Sequence, residues 1–381
     1  MKVLIITKHY LDQSLGGPNC SKAFIKALTS IYDDCTLIYP EHNDHTTQMP
    51  FMDCGKVVLV PCFDKRSRLR KGVDVYLGKI HRFGGFVKSF LSKNSFDIIF
   101  IDHSFTAASG VIEAAVKSGS KIVTLHHNVE STYIKDNGQS ILFRLPYNRF
   151  SIKAEHKSII HSDLNLTLTE ADRKYFTDKY ADKRDTFDVM GIFEYIDRST
   201  DLSCTPGTQT FIISGALSAV QTETALMAFL NDYMPALNEI CPQSKLIITG
   251  RNPSRNLIDA CGRFENITIT PNPENIFKEV AKGSYYICPL FTGSGIKLRV
   301  MDALVSGLPV VAHDVSVNGY ESIVKDGFMF GYHDVESFKS AVKEVMTVKE
   351  HSKVRDSFLS YFSYTAGRNR LLSILKQHRM I

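Results

Sequence analysis

Continuous Val, Ile and Leu runs, each followed by a polar or glycine-bearing loop and then an amphipathic segment, recur along the whole chain. In the first half they are KVLIIT (2–7), CTLIY (35–39), KVVLVP (56–61), FDIIFI (96–101), KIVTLH (121–126) and DLNLTLT (163–169), with CSKAFIKALTSI (20–31) the clearest helix between them. The stretch 189–209 loses this pattern and gathers Thr, Ser, Pro and Gly, as a linker does. The pattern restarts with TFIISGA (210–216), KLIITG (245–250), NITITP (266–271), SYYICPL (284–290) and LPVVAH (308–313). Strands that are apolar on both faces and alternate with helices form parallel sheets covered on both sides. A chain of 381 residues also exceeds the size at which one core stops growing. The expected fold class is α/β, with two doubly wound domains facing a cleft, and ligands bound beyond the carboxyl ends of the strands.

Composition excludes several other classes. Hydrophobic residues at 44% and charged residues at 22% are ordinary globular values, so a disordered or fibrous chain is excluded. A net charge of +5 with no basic stripe gives no nucleic-acid partner. Eight cysteines are scattered without a C-x-x-C pair, which favours a reduced cytoplasmic setting and gives no zinc site. MKVLIITKHY reads as a buried strand rather than a signal peptide, and no run is long enough to span a membrane.

The loops that follow strands are the ones to read for function. After the first strand comes SLGGPN, where Gly16 and Gly17 would let backbone approach a ligand; a simple turn before a helix explains the pair equally well. FTGSGIKLRVMDALVSGLPVV (291–311) is richer. A strand leads into a loop with Gly293, Ser294 and Gly295, then a helix IKLRVMDALVS ended by Gly307, with Leu298, Met301, Leu304 and Val305 on its core face. Glycines before a helix N-terminus suit an anion, phosphate above all. Lys297 and Arg299 fall in the first helical turn, where a cation disfavours the helix unless an anion arrives. A solvated Lys297 and an Arg299–Asp302 pair form the alternative, which leaves the glycines unexplained. Asp302, further along the helix, suits ribose hydroxyls better than phosphate. Neither G-x-x-x-x-G-K-[ST] nor G-x-G-x-x-G after a strand occurs, so ATP hydrolysis and NAD chemistry are not signalled.

Histidines stand at strand ends in the first half: His103 in FIDHSF, and His126 and His127 in TLHHNVE with Glu130 beyond them. His103 and His127 are candidates to contact a sugar or share a proton, with Glu130 beside them. Glu130 serves equally well as a first-turn helix residue. Between 64 and 94, DKRSRLRKG leads to YLGKIHRFGGFVKSFLSKN, where Ile80, Phe83, Val87 and Phe90 recur at helical spacing among Lys79, Arg82, Lys88 and Lys93. Such a segment can rest on an anionic membrane surface, or bury its aromatic stripe in the core and leave the cations in water.

ICPLFTGSGIKLRVMDALVSGLPVVAHD resembles the nucleotide-sugar loop and helix of GT-B glycosyltransferases of the family 4-like group, also called glycosyl transferases group 1. LGGPN, VTLHHNVE, FIISGALS, LIITGRNP and YTAGRNRLLSIL fall where that family has counterparts. The resemblance implies two Rossmann-like domains: an acceptor-binding domain over 1–192, rejoined by a final helix at 364–381, and a nucleotide-sugar-binding domain over 193–363. It implies that Gly215, Gly293, Ser294 and Gly295 cradle a diphosphate that Lys297, Arg299 and Arg251 neutralise. Asp302 would hold the ribose, and Gly16 and Gly17 would face the donor phosphate from the first domain. Two departures stand out. Ser294 and Asp302 occupy the positions of the family's E-x7-E pair, and SGALSAVQTE lacks the usual basic residues.

The implied activity is transfer of a sugar from a nucleotide-sugar donor, of the UDP type, to a saccharide or lipid-linked saccharide acceptor. Retention of configuration and a place in cell-surface polysaccharide assembly are implied with it. Breaking a sugar–diphosphate bond leaves negative charge on the diphosphate, which fixed cations and amides stabilise, so no cofactor or metal is expected. The expected location is the cytoplasm, with a peripheral position on the inner face of the membrane if 64–94 binds lipid. The alternatives are a non-catalytic nucleotide-sugar-binding subunit and a sugar-nucleotide epimerase of the same fold.

Overall fold

The computed structural model describes residues 1–13, 16–41, 48–63, 66–76, 83–132, 141–196, 207–293 and 295–381. The chain divides into two compact units, Met1–Asp197 with Phe362–Ile381, and Arg198–Tyr361.

In the first unit the apolar runs form parallel strands β1 (Lys2–Thr7), β2 (Asp34–Glu41), β3 (Val57–Phe63), β4 (Ile98–Asp102), β5 (Lys121–His126), β6 (Leu164–Thr167) and β7 (Phe187–Val189). They lie in the order β3-β2-β1-β4-β5-β6-β7. Val3, Leu4, Ile5 and Ile6 of β1 and Ile98 to Ile101 of β4 are fully buried, as strands covered on both faces must be. Successive strands step one way from β1 and the other way from β4, so the order reverses between these two, with Thr7 paired to Asp102 in register. That reversal opens a crevice beyond their carboxyl ends, the place where such sheets bind ligands.

The second unit repeats the plan with β8 (Thr210–Ala216), β9 (Lys245–Arg251), β10 (Ile267–Pro271), β11 (Tyr285–Cys288), β12 (Val310–His313) and β13 (Met329–Tyr332), in the order β10-β9-β8-β11-β12-β13. Its reversal falls between β8 and β11. Phe211, Ile213, Leu246, Ile248 and Ile287 meet Phe229, Leu237, Leu257, Phe338 and Val342 from the helices in one core.

The first unit runs on past the expected end at 192, and hydrogen bonds from elsewhere in the same unit explain why. Glu194 donates its N–H to the Phe362 carbonyl at 2.8 Å, and Lys26 Nζ reaches the Tyr195 carbonyl at 2.8 Å. From the returning helix Tyr364–Gln377, Arg370 donates to the carbonyls of Met190 and Ile192, and Tyr364 Oη to that of Lys26.

The 64–94 segment is two helices, Arg68–Tyr76 and Phe83–Leu91; residues 64–65 and 77–82, with Ile80 among them, lie outside the described residues. Val87 is fully buried and Phe90 packs against the same core, so the aromatic stripe turns inward there. Leu69 and Val73 on the preceding helix are exposed at 85% and 51% beside Arg70 and Lys71. Asp74, buried, pairs with Arg66 and Arg70 and fixes that helix face. Among the described residues no helix is long and apolar enough to cross a membrane.

Candidate functional site

In the second unit the candidate donor residues gather where β8 and β11 diverge. Gly293 and Gly295 have φ of 92° and 76°, the left-handed region that glycine enters without strain. Ser294 between them lies outside the described residues. The helix begins later than its sequence suggests, at Arg299, and runs only to Val305. Tight i→i+3 bonds from the Val300 and Met301 N–H groups to the Lys297 and Leu298 carbonyls precede regular helix. Buried Tyr320 also donates its hydroxyl to the Lys297 carbonyl at 2.9 Å. Lys297 is therefore a loop residue rather than part of the first turn, and a helix this short offers little dipole. Positive charge must carry any anion binding.

Lys297 Nζ draws in the carbonyls of Gly293 at 2.6 Å and Gly295 at 3.1 Å, giving the loop a cationic centre. Arg299 turns to β8 instead of to Asp302. Its guanidinium donates to the Ser214 carbonyl and to Thr222 Oγ1, each at 3.1 Å. It lies so close to Gly215 that a Cβ there would stand 2.6 Å from it. Tyr286 Oη completes the corner at 2.9 Å from Ser214 Oγ. Asp302 is half-buried in the same short helix, whose Val300, Met301, Ala303, Leu304 and Val305 are buried while Leu298 is only partly so. The helix ends as expected: Gly307, at φ 82°, donates to the Leu304 carbonyl and Leu308 to that of Ala303. Arg251 ends β9 with an exposed side chain, and its carbonyl accepts from the Leu217 N–H.

In the first unit the corresponding corner holds a cluster of titratable groups. Asp102, fully buried, accepts from Thr7 Oγ1 at 2.6 Å and lies 2.8 Å from His127 Nε2. Burial alone would raise its pKa; His127, through charge and a hydrogen bond, and His9 outweigh that and bring it down to about 2. An ionised carboxylate only accepts, so His127 Nε2 donates to it, and in the neutral ring that leaves Nδ1 as the acceptor. His103 sits at φ 74° and ψ 127°, backbone values that a residue with a Cβ adopts only with strain, and its Nδ1 accepts from the Phe105 N–H at 3.1 Å. Its Nε2 is 3.3 Å from Glu130 Oε1. Burial, then Lys8 and His127, hold His103 well below the usual histidine range, while burial raises the Glu130 carboxyl against Lys8 and His127. The rings of His103 and His127 have centroids 4.8 Å apart, and His9 approaches both.

The fold thus brings His103, His127 and Glu130 together. His126 turns the other way, to Asn165 Oδ1 at 2.9 Å and to the rings of Phe176 and Phe187, and belongs to the core. Gly16 and Gly17 open the helix Gly16–Ile31 rather than forming a free loop. A Cβ on Gly17 would stand 3.0 Å from His9 Nε2, so that glycine makes room for His9. His9 and Asp102 were not singled out from sequence, although both lie at or just beyond the ends of central strands.

Beneath this cluster Glu155, fully buried, accepts from the Glu130 N–H at 2.7 Å. Burial pushes its carboxyl up from 4.5 to about 7, against that hydrogen bond. The folded value exceeds the unfolded one, so the acid form contributes stability that is complete below about pH 4.5 and lost as pH rises through 7. Thermal melts from pH 5 to 8 should show the protein losing up to about 3 kcal/mol from this group, and Glu155→Gln should flatten the decline. Parallel declines in both proteins would exclude Glu155 as the source.

Residues 208–347, which contain the whole of this β8–β11 corner, match the family described as glycosyl transferases group 1. The match lies within the second unit, and the fold is that of the GT-B glycosyltransferases. Sucrose-phosphate synthase from Thermosynechococcus elongatus superposes with a TM-score of 0.68 at 10% identity, over 99% of this chain and 98% of its own. Anabaena HepE in complex with UDP-glucose gives a TM-score of 0.63 at 12% identity, over 99% of this chain and 100% of its own. At such identities the likeness is one of fold. An exopolysaccharide phosphotransferase of Streptomyces coelicolor is 30% identical over 112 residues, 28% of this chain and 12% of that protein.

Proposed function

We propose that the chain transfers a sugar from a nucleoside diphosphate sugar, of the UDP type, to a saccharide acceptor, with retention, in the assembly of a cell-surface glycan. The observation that carries this reading is the convergence of Gly215, Gly293, Gly295, Lys297 and Arg299 on one corner of the group 1 domain. As the sugar–phosphate bond lengthens, the leaving diphosphate gains charge, and fixed cations stabilise that charge most in the transition state. Lys297 and Arg299, with Arg251, serve this purpose without a metal on the diphosphate, and Asp302 takes the ribose hydroxyls. Retention is the outcome of the group that the loop resembles. In the first unit, His127, held by Asp102, accepts a proton through Nδ1, while His103 and Glu130 bind hydroxyls of the reacting sugars. The glycan assignment draws on the match to the Streptomyces exopolysaccharide protein. Exposed Leu69 and Val73 beside Arg70 and Lys71 favour a lipid-linked acceptor on an anionic bilayer, which cosedimentation with anionic vesicles tests.

A thermal-shift screen against UDP, GDP, ADP, TDP and their sugar conjugates tests the donor assignment. UDP at 100 times its dissociation constant should stabilise by about 2.7 kcal/mol. Lys297→Ala should weaken UDP roughly 10- to 100-fold, the value of a lost charge-assisted hydrogen bond. Asp302→Ala should weaken UDP more than inorganic pyrophosphate. A flat screen would remove the donor site, and equal UDP affinity in wild type and Lys297→Ala would remove Lys297 from it. Product mass separates sugar transfer from the sugar-phosphate transfer that the Streptomyces match suggests. An epimer formed from donor alone would replace transfer with epimerisation.

A further inference from the structure

We propose that His9, Asp102 and His127 form a binding site for a divalent transition-metal ion, zinc or cobalt in preference to magnesium. The three side chains come from the ends of β1, β4 and β5, and one ligand atom from each lies within 4.8 Å of the others. His127 Nε2 is 2.8 Å from Asp102 Oδ1, and His9 Nδ1 is 3.9 Å from Asp102 Oδ2. Tetrahedral ligands held about 2.0–2.1 Å from zinc stand roughly 3.3 Å from one another, a value these two separations bracket. Small rotations of the His9 and His127 rings about Asp102 would bring the three ligands onto one ion. Two imidazoles and one carboxylate suit zinc, cobalt or ferrous iron, whereas magnesium prefers oxygen ligands and keeps its water.

The surroundings favour a cation. Thr7 Oγ1 orients Asp102 at 2.6 Å, as outer partners orient metal ligands, and Ser21 Oγ, 2.7 Å from His9 Nδ1, is the contact that an ion displaces. Gly17 packs against His9 Nε2, leaving Nδ1 as the nitrogen that faces Asp102. His9 is 15% exposed while Asp102 and His127 are at 0% and 5%, so the ion enters past His9. The ion takes the Nε2 lone pair of His127, and the proton that Nε2 carried moves to Nδ1. Nδ1 then changes from acceptor to donor. The consequence for transfer rests on the proposed function; the site itself does not.

The test is a Co2+ and Zn2+ titration of the full chain after chelator treatment, with Mg2+ as comparison. Cobalt should give the intense ligand-field band of a four-coordinate site, and zinc should raise the melting temperature where Mg2+ does not. His127→Ala and Asp102→Asn should weaken cobalt binding more than about tenfold. His9→Ala, at a partly exposed position, should do the same even if the buried variants fold poorly, and His161→Ala, at an exposed position outside the cluster, should not. Absence of the band, or wild-type cobalt affinity in the His9 and His127 variants, overturns the proposal. UDP affinity measured on the same samples reports the second unit independently, so a failed metal site is not mistaken for a failed donor site.

Discussion

Asp102→Asn, in metal-free protein, should lower the turnover of sugar transfer roughly 100- to 1,000-fold, the range of a lost general base, while leaving UDP affinity unchanged. The carboxylate only accepts hydrogen bonds, so it fixes the proton of His127 on Nε2, 2.8 Å away, and leaves Nδ1 able to take one. An asparagine of the same shape can turn its amide towards Nε2 and donate. The imidazole then holds its proton on Nδ1 and loses its basic face. Asp102 acts through His127 and is a positioning residue. The readout is therefore a fall in kcat with little change in donor KM and an altered pH profile. An unchanged kcat would show that the pair is only part of the core. UDP affinity should persist because Lys297, Arg299, Arg251 and Asp302, which are proposed to hold UDP, belong to the other unit.

Gly250→Ala should destabilise the second unit by about 2–6 kcal/mol, summing the costs of a strained backbone conformation and of overpacking. Gly250 has φ 153°, and a Cβ there would stand 1.8 Å from the Gly215 carbonyl oxygen. Backbone blocks the new methyl on a strand paired residue for residue with β8, so relief requires the sheet to move. Gly215→Ala meets the Arg299 guanidinium, a side chain that can swing away. It should cost less stability and more UDP affinity. Urea unfolding and UDP titration of both variants check the contrast, and equal unfolding midpoints for wild type and Gly250→Ala would refute the packing argument.

Strands whose Val, Ile and Leu runs fill both faces were legible in the sequence, because burial on both sides writes a continuous apolar signal. β7, only Phe187–Val189, and β13, Met329–Tyr332, were not: each is a short outer strand with little to distinguish it from a loop. The turn at Gly293 and Gly295 was legible in the glycines, but the start of the helix after it was not, since Tyr320 and the tight turn at Lys297 act through tertiary structure. In FIDHSF the histidine carries an evident chemical signal, whereas the aspartate beside it looks like any polar strand end. Asp102 and His9 become a site only once β1 lies beside β4, a pairing across 95 residues that no local pattern encodes. What sequence does offer is positional: polar residues at the ends of the two strands where the order reverses.

The first unit is assembled from two stretches of chain, Met1–Asp197 and Phe362–Ile381, with the whole second unit spelled out between them. On the ribosome this imposes an order. The second unit is contiguous and can close as soon as Tyr361 has emerged. The first must wait, with the Met190–Tyr195 strip lacking its Arg370 and Phe362 partners, until the segment that carries them has been made. The unit that carries Asp102 and His127 is therefore the last part of the molecule to mature, and an unfinished chain holds the glycine loop in a complete unit before the histidine cluster has its full surroundings.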